Sequence, residues 1–360
     1  MKKICFMINT LTGGGAERVT SIVTSYLSQN EEMEIHLITL AKKEKEYELA
    51  PEVIRHNLDL DFHSTKGMVK SFFATWKYMA RLNCDCYVGI DIFANIIVSS
   101  LGVFSKRKTI ISERNAPKQV QIKGIMKVLR KLFYPFADCV VFQTEGARND
   151  SPSNISKKGI VIPNPVKSNL PRNVPTEHII CAAARLSAEK NYNLLINSFA
   201  EIVKSHPEYK LSIFGQGIME NELKEYVASL NLDDKIIFEG YCTDVHDRMK
   251  HAEIFVLSSD YEGLPNSLLE AMAMGFAVIS TDCPPGGPRS LIENGKNGLL
   301  VPVGDKNAMI DAMLRYIDDS EFRKSAGELA LEVNDIYSVE KITSAWQKCI
   351  ELVLTNKKRV

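Results

Sequence analysis

Ile162-Pro163-Asn164-Pro165-Val166-Lys167-Ser168-Asn169-Leu170-Pro171-Arg172-Asn173-Val174-Pro175 carries four prolines between positions 163 and 175 and no apolar periodicity. Proline has no N–H to give a helix or a sheet ladder, so this stretch reads as a linker between two domains. On its N-terminal side, short apolar runs at Ile4–Ile8, Ile35–Leu40, Tyr87–Ile90, Thr109–Ser112, Cys139–Gln143 and Ile160–Pro163 read as strands. Helical patterns at about 16–28, 69–82, 93–104 and 122–136 separate most of them. On the C-terminal side the alternation restarts, with strand-like runs at Ile179–Ala184, Lys210–Phe214, Lys235–Phe238, Ile254–Leu257, Ala277–Ser280 and Leu299–Val301. Helical patterns fall at about 192–204, 219–230, 265–274, 306–317 and 321–333. Strands alternating with helices predict βαβ units and a mostly parallel sheet. The economical reading is two doubly wound, Rossmann-like α/β domains, about 1–165 and 166–338. Such sheets take ligands at the carboxyl ends of their strands, so two facing domains imply a cleft. A last helix, Val339–Leu354, repeats apolar residues at Ile342, Ala345, Trp346, Cys349, Ile350 and Val353, a buried stripe whose partner domain the spacing does not name.

The chain has 360 residues, 45% hydrophobic and 24% charged, which fits globular domains with sizeable cores and excludes disordered or disulfide-scaffold classes. No apolar run approaches the ~20 residues of a membrane-spanning helix, and the N-terminus does not read as a secretory signal, so a cytoplasmic location is expected. The eight cysteines include one close pair, Cys84 and Cys86, with no second pair to complete a zinc site. Net charge is zero but divided. Residues 1–165 hold 23 Lys and Arg against 16 Asp and Glu, and residues 166–360 hold 21 against 28. A basic half suggests contact with an anionic ligand or surface, although two unevenly decorated solvated faces give the same numbers.

Three stretches carry chemistry. Thr12-Gly13-Gly14-Gly15-Ala16-Glu17-Arg18 lies between a strand and a helix, where glycines admit close backbone approach and a helix start attracts anions. It is neither a dinucleotide fingerprint nor a P-loop. Arg185-Leu186-Ser187-Ala188-Glu189-Lys190-Asn191 follows the first strand of the second domain, and its two cations can converge on one pyrophosphate. The third, Ser258 to Gly275, is the most specific. Pro265 suits the first turn of a helix and Gly275 its C-terminal cap, which puts Glu262 in the preceding loop and Glu270 inside the helix. A carboxylate accepts from two hydroxyls at once, as vicinal diols of sugars and ribose require.

Glu262 and Glu270 resemble the E-x7-E motif of retaining GT-B glycosyltransferases of family 4, the glycosyl transferases group 1 of bacterial polysaccharide and lipid-linked glycan synthesis. The resemblance extends to Gly14–Arg18, Pro163-Asn164-Pro165, Arg185…Glu189-Lys190-Asn191, Phe214-Gly215-Gln216-Gly217 and Gly298–Val301. It implies a GT-B architecture with an acceptor-side first domain and a nucleotide-sugar-binding second domain. The helix 339–360 would cross back to the first domain. It implies that Gly14 and Gly15 approach the donor phosphates or reacting sugar, and that Arg185 and Lys190 neutralise the diphosphate leaving group. Glu262 would hold donor sugar hydroxyls with the backbone at Gly263 and Leu264, in the turn running on through Pro265 and Asn266, and Glu270 would hold the ribose. Segments like Cys283–Pro288 point to UDP as the nucleotide.

One departure stands out. Where many relatives keep a histidine after the strand at 109–112, this chain has Glu113-Arg114, and an arginine cannot act as a general base. Arg114 is expected to hold the donor sugar or an acceptor phosphate. No cofactor beyond the donor and no metal is expected; Asp59-Leu60-Asp61 has the letters of a metal loop but no supporting context. Residues 118–136 hold five cations and no acid, with a helical stripe Ile122, Ile125, Met126, Leu129, Leu132, Phe133 and Phe136. Packing on the first sheet accounts for most of that stripe. Lys123, Lys127, Arg130 and Lys131 would draw in an anionic, membrane-borne acceptor, placing the enzyme peripherally on the inner membrane face. The competing reading is a nucleotide-sugar-binding protein without transferase activity. Nucleic acid is not expected, since no aromatic stacking pattern accompanies the cations.

Overall fold

The computed structural model describes residues 1–60, 65–105, 107–114 and 124–355. The chain divides into two compact units, Met1–Pro165 with Val339–Val360, and Val166–Ser338.

The first unit is built on a seven-stranded sheet: β1 (Lys2–Ile8), β2 (Met33–Thr39), β3 (Ile54–Asn57), β4 (Cys86–Gly89), β5 (Lys108–Glu113), β6 (Cys139–Phe142) and β7 (Gly159–Val161). Their order is β3-β2-β1-β4-β5-β6-β7, all parallel, with Ile4 opposite Ile35 on one side and Cys86 on the other. Strands covered on both faces read as continuous apolar runs, as β1 and β6 do. The helix Ile92–Phe104 is apolar on every side and buried along Phe93–Leu101, because it lies between the sheet and its neighbouring helices. Asp91 caps it, accepting from Ala94 N–H at 2.9 Å and from Asn9 N–H at 2.8 Å, which ties the end of β1 to the start of the helix. The helix Val339–Leu354 also belongs to this unit. Trp346 is fully buried with its ring 6.2 Å from that of Phe6, and Cys349 Sγ lies 3.6 Å from Cys139 Sγ on β6.

The second unit has six parallel strands: β8 (Ile179–Ala183), β9 (Lys210–Phe214), β10 (Ile236–Gly240), β11 (Ile254–Leu257), β12 (Ala277–Thr281) and β13 (Leu299–Val301). They run in the order β10-β9-β8-β11-β12-β13. Side chains alternate across the sheet. Ile254 and Val256 join the layer under helices Tyr192–Ser205 and Lys306–Asp318, while Phe255 and Leu257 join the layer under helix Asn266–Met274. From Val166 onward the proline-rich stretch is strapped to this unit. Asn173 Nδ2 donates to Lys250 O and Ala252 O at 2.8 and 2.9 Å, and Val166 N–H donates to Tyr337 O at 2.8 Å.

Short helices at Glu145–Asn149, Ser153–Ser156, Val245–Met249 and Gly287–Leu291 are additions to the elements expected, and three further details differ. β3 is an added edge strand. Pro135 ends the helix expected to 136, leaving Gly124–Phe133 and a 3-10 turn Tyr134–Phe136. The last helical stretch of the second unit breaks into Ser320–Ala330 and Val333–Ile336.

Candidate functional site

In the second unit the strand order reverses between β8 and β11, which is where an open parallel sheet leaves a crevice at its carboxyl end. The loop after β8 carries Arg185, exposed, and Lys190, half-buried. Its path is fixed by the turn Gly215-Gln216-Gly217. Ala184 N–H and Leu186 N–H each donate at 3.1 Å, to Phe214 O and Gln216 O. A Cβ on Gly215 would stand 2.0 Å from Ala184 O, and one on Gly217 2.1 Å from Leu186 O, so only glycine lets the two backbones meet. The loop ends at Asn191, whose positive φ of 45° turns the chain into helix Tyr192–Ser205. Its side chain caps that helix at Leu194 N–H and donates to Asp260 Oδ1 at 2.7 Å.

Asp260 belongs to the loop after β11, so the two crevice loops are stitched together. Ser258 Oγ donates to Lys190 O at 2.8 Å, and Asp260 N–H to Glu189 O at 2.8 Å. The result is a close ion pair across 72 positions of sequence: Lys190 Nζ donates to Glu262 Oε1 at 2.6 Å, and Ser259 Oγ to the same oxygen at 2.7 Å. The Lys190 and Glu262 side chains are 18% and 11% exposed. Gly263 and Leu264 lead to Pro265, which stands at the N-cap, one place earlier than the first-turn position expected, and Asn266 opens the helix. Gly287 packs on this turn so closely that a Cβ there would lie 1.9 Å from Gly263 O. Glu270 is buried inside the helix, and His246 Nε2–H donates to its Oε2 at 2.9 Å. Gly275, in the left-handed region, closes the helix as expected.

The sequence reading gathers Arg185, Lys190, Glu262 and Glu270 at this end of one sheet. It misses Ser259, Asp260 and His246. The small polar run Ser258-Ser259-Asp260 was a usable signal, but His246 lies 24 positions from its partner and nothing local marks it.

In the first unit Gly14 is the N-cap of helix Gly15–Leu27, with Gly13 at a φ of 64°. The Glu17 carboxylate folds over Gly14, and Arg18 is buried deeply enough that desolvation lowers its pKa to about 10. Arg114, expected to hold the donor sugar or an acceptor phosphate, is tied to neighbouring side chains. Its Nε donates to Ser112 Oγ at 2.9 Å, its Nη1 to Asn164 Oδ1 at 2.6 Å, and the guanidinium lies 5.6 Å from the Trp346 ring centroid. Burial lowers its pKa to about 10, and Nη2 alone lacks a hydrogen-bond partner among the described residues. Arg114 therefore braces Asn164 and the last helix.

The basic helix is less buried than its apolar stripe predicts. Lys123, like Lys118, Ile122 and Asp61, lies outside the described residues. No residue of Gly124–Phe133 is buried: Met126, Leu129 and Phe133 lean on the core, while Ile125, Val128, Leu132 and Phe136 are exposed. Packing accounts for half of the described stripe residues. Lys127 and Lys131 are exposed, but Arg130 is occupied, donating to Glu113 Oε2 at 2.8 Å and lying over Tyr134. Among the described residues no group of three or more His, Cys, Asp or Glu is placed to hold a metal ion, and no helix is long and apolar enough to cross a membrane.

Residues 167–333 match the family described as glycosyl transferases group 1. A Campylobacter jejuni N-acetylgalactosamine-N,N'-diacetylbacillosaminyl-diphospho-undecaprenol 4-alpha-N-acetylgalactosaminyltransferase is 29% identical over 346 residues, covering 90% of this chain and 93% of that protein. A second C. jejuni protein, GalNAc-alpha-(1->4)-GalNAc-alpha-(1->3)-diNAcBac-PP-undecaprenol alpha-1,4-N-acetyl-D-galactosaminyltransferase, is 28% identical over 360 residues, 97% of this chain and 98% of its own. Anabaena HepE, solved with UDP and glucose, superposes with a TM-score of 0.81 at 16% identity, covering 98% of this chain and all of that one. The two parallel-sheet units thus have the GT-B fold.

Proposed function

We propose that the chain, whose residues 167–333 match the group 1 glycosyl transferases, moves a hexose or N-acetylhexosamine from a UDP-sugar to a lipid-linked or growing glycan acceptor, with retention at the anomeric carbon. The observation that carries this reading is the cluster at the carboxyl ends of β8 and β11. It offers what a nucleotide diphosphate sugar requires: cations for a diphosphate, and two carboxylates for diols.

Glu270 takes the ribose hydroxyls and Glu262 the sugar hydroxyls, helped by backbone from Gly263 through Asn266. Arg185, exposed at the mouth of its loop, meets the diphosphate first. Lys190 is held by Glu262 until the donor arrives, then shares its protons with the phosphate. In the reaction the bond from the anomeric carbon to the β-phosphate oxygen breaks as the acceptor hydroxyl oxygen bonds on the same face. The departing phosphate oxygen takes the hydroxyl proton. Arg185 and Lys190 stabilise the charge growing on the leaving diphosphate, so no metal and no further cofactor is needed for that task. Gly14 and Gly15, at a helix start, suit approach to donor phosphates. Arg114, as a brace, has only Nη2 left for substrate.

The acceptor assignment is supported by the two Campylobacter relatives and by the helix Gly124–Phe133. Its exposed Ile125, Val128 and Leu132, with Lys127 and Lys131 beside them, suit a peripheral position on an anionic membrane surface at the cytoplasmic face. The test is thermal stabilisation by UDP-, GDP- and ADP-sugars, followed by transfer of the stabilising sugar to undecaprenyl-diphosphate-linked glycans. Stabilisation without transfer or donor hydrolysis would favour a nucleotide-sugar-binding protein. No stabilisation by any of them would end the reading.

A further inference from the structure

Glu270 lies in the middle of a helix, its side chain about one-tenth exposed, facing a residue from a different part of the sheet. His246 sits in the short helix Val245–Met249, which follows the carboxyl end of β10, and its own side chain is 12% exposed. The two meet at 2.9 Å between Nε2 and Oε2. A carboxylate removed from water needs donors to stay both charged and fixed in one rotamer. An imidazole supplies one such donor from a rigid ring, which fixes the carboxylate in one orientation.

We propose that His246 is the positioning residue for nucleotide binding, aiming the Glu270 carboxylate at a pair of ribose hydroxyls. This rests on the reading of Glu270 as the ribose acceptor. His246 touches no substrate itself. Its contribution passes through Glu270, so the nucleoside diphosphate, rather than the sugar attached to it, is the part of the donor that senses it. The sugar end of the site is built from other residues, with Lys190 and Ser259 both donating to Glu262.

Calorimetric titration of the full chain with UDP tests this, using H246A, H246Q, E270A and the double variant H246A/E270A. A hydrogen bond to a charged group sets the scale, and H246A is expected to weaken UDP about tenfold to a hundredfold. H246Q places an amide N–H near the position of Nε2 and is expected to restore affinity to within about threefold of the native chain. In the E270A background H246A is expected to cost less than about twofold, because residues acting through one another are not additive. Native UDP affinity in H246A overturns the proposal. An undiminished loss in the E270A background overturns it too, since His246 would then act elsewhere. If the native chain does not bind UDP, the donor reading itself fails. If it binds and H246A is silent, the positioning role alone fails.

Discussion

Replacing Glu262 by Gln separates two tasks that the structure joins in one oxygen. Glu262 Oε1 accepts from Lys190 Nζ at 2.6 Å and from Ser259 Oγ at 2.7 Å. The amide oxygen of Gln keeps both contacts but loses the charge, which removes the charge-assisted part of each, roughly 1 kcal/mol apiece. The stability cost is therefore about 2 kcal/mol rather than the ~3–5 kcal/mol of an orphaned, fully buried ion, because both side chains keep some exposure to water. For a unit of about 170 residues that lowers Tm by about 4–8 °C, read by calorimetry. UDP affinity moves the other way. Lys190 no longer has a carboxylate competing for its charge, and a pair of this exposure is worth about 1 kcal/mol, so UDP is expected to bind up to about fivefold more tightly. Turnover of the intact UDP-sugar is expected to fall about a hundredfold, as the sugar loses its ionic acceptor. A tenfold loss of UDP affinity would refute the reasoning, because it would make Glu262 a nucleotide ligand rather than a sugar ligand.

R185A is expected to lower kcat by about 10²–10³ with little change in Tm, since Arg185 is exposed; near-native kcat would make it a solvated turn residue. G287A pushes a methyl group against Gly263 O, where backbone meets backbone, and is expected to weaken UDP-sugar binding at least tenfold by shifting the turn at Gly263. K127E/K131E is expected to reduce co-sedimentation with phosphatidylglycerol vesicles at least tenfold and to raise KM for a lipid-diphosphate acceptor, with donor hydrolysis unchanged. W346A empties a fully buried site under Phe6 and Arg114 and is expected to cost about 3–5 kcal/mol in a denaturation experiment, without altering UDP affinity of the folded protein.

The sheets were legible because fully covered parallel strands announce themselves as uninterrupted apolar runs. Cys139–Phe142 and Ile254–Leu257 needed no context. Ile54-Arg55-His56-Asn57 hides for the opposite reason. It is an edge strand with no buried residue, held by pairing with β2 and by contacts such as the Tyr78 hydroxyl to His56 at 2.8 Å. The site divides in the same way. Glu262 and Glu270 share one loop and helix, so their spacing carries meaning. The pairing of Lys190 with Glu262 arises only when β8 and β11 end side by side, and that of His246 with Glu270 only when the segments after β10 and β11, with two strands between them in the sheet, meet. Arg114 has contacts that its position alone does not announce. Its place after β5 suggested a ligand contact, but a guanidinium with Ser112, Asn164 and Trp346 within reach is drawn inward by them. The helix Gly124–Phe133 was underread, since a stripe of seven apolar residues does not say how many of them the core has room for.

The closing helix of the first unit has a consequence for biosynthesis. Residues 166–338 are interposed between the body of that unit and the segment that contributes Trp346. On the ribosome, the pocket around Phe6, Arg114 and Cys139 must wait until the whole intervening unit has been made. At about 5–20 residues per second that delay is roughly 10–35 s. During it a nascent chain displays an uncovered apolar cleft, long enough to be met by a chaperone, while the second unit, continuous in sequence, can fold as it emerges. The order of maturation is thus reversed: the part synthesised first is the part finished last.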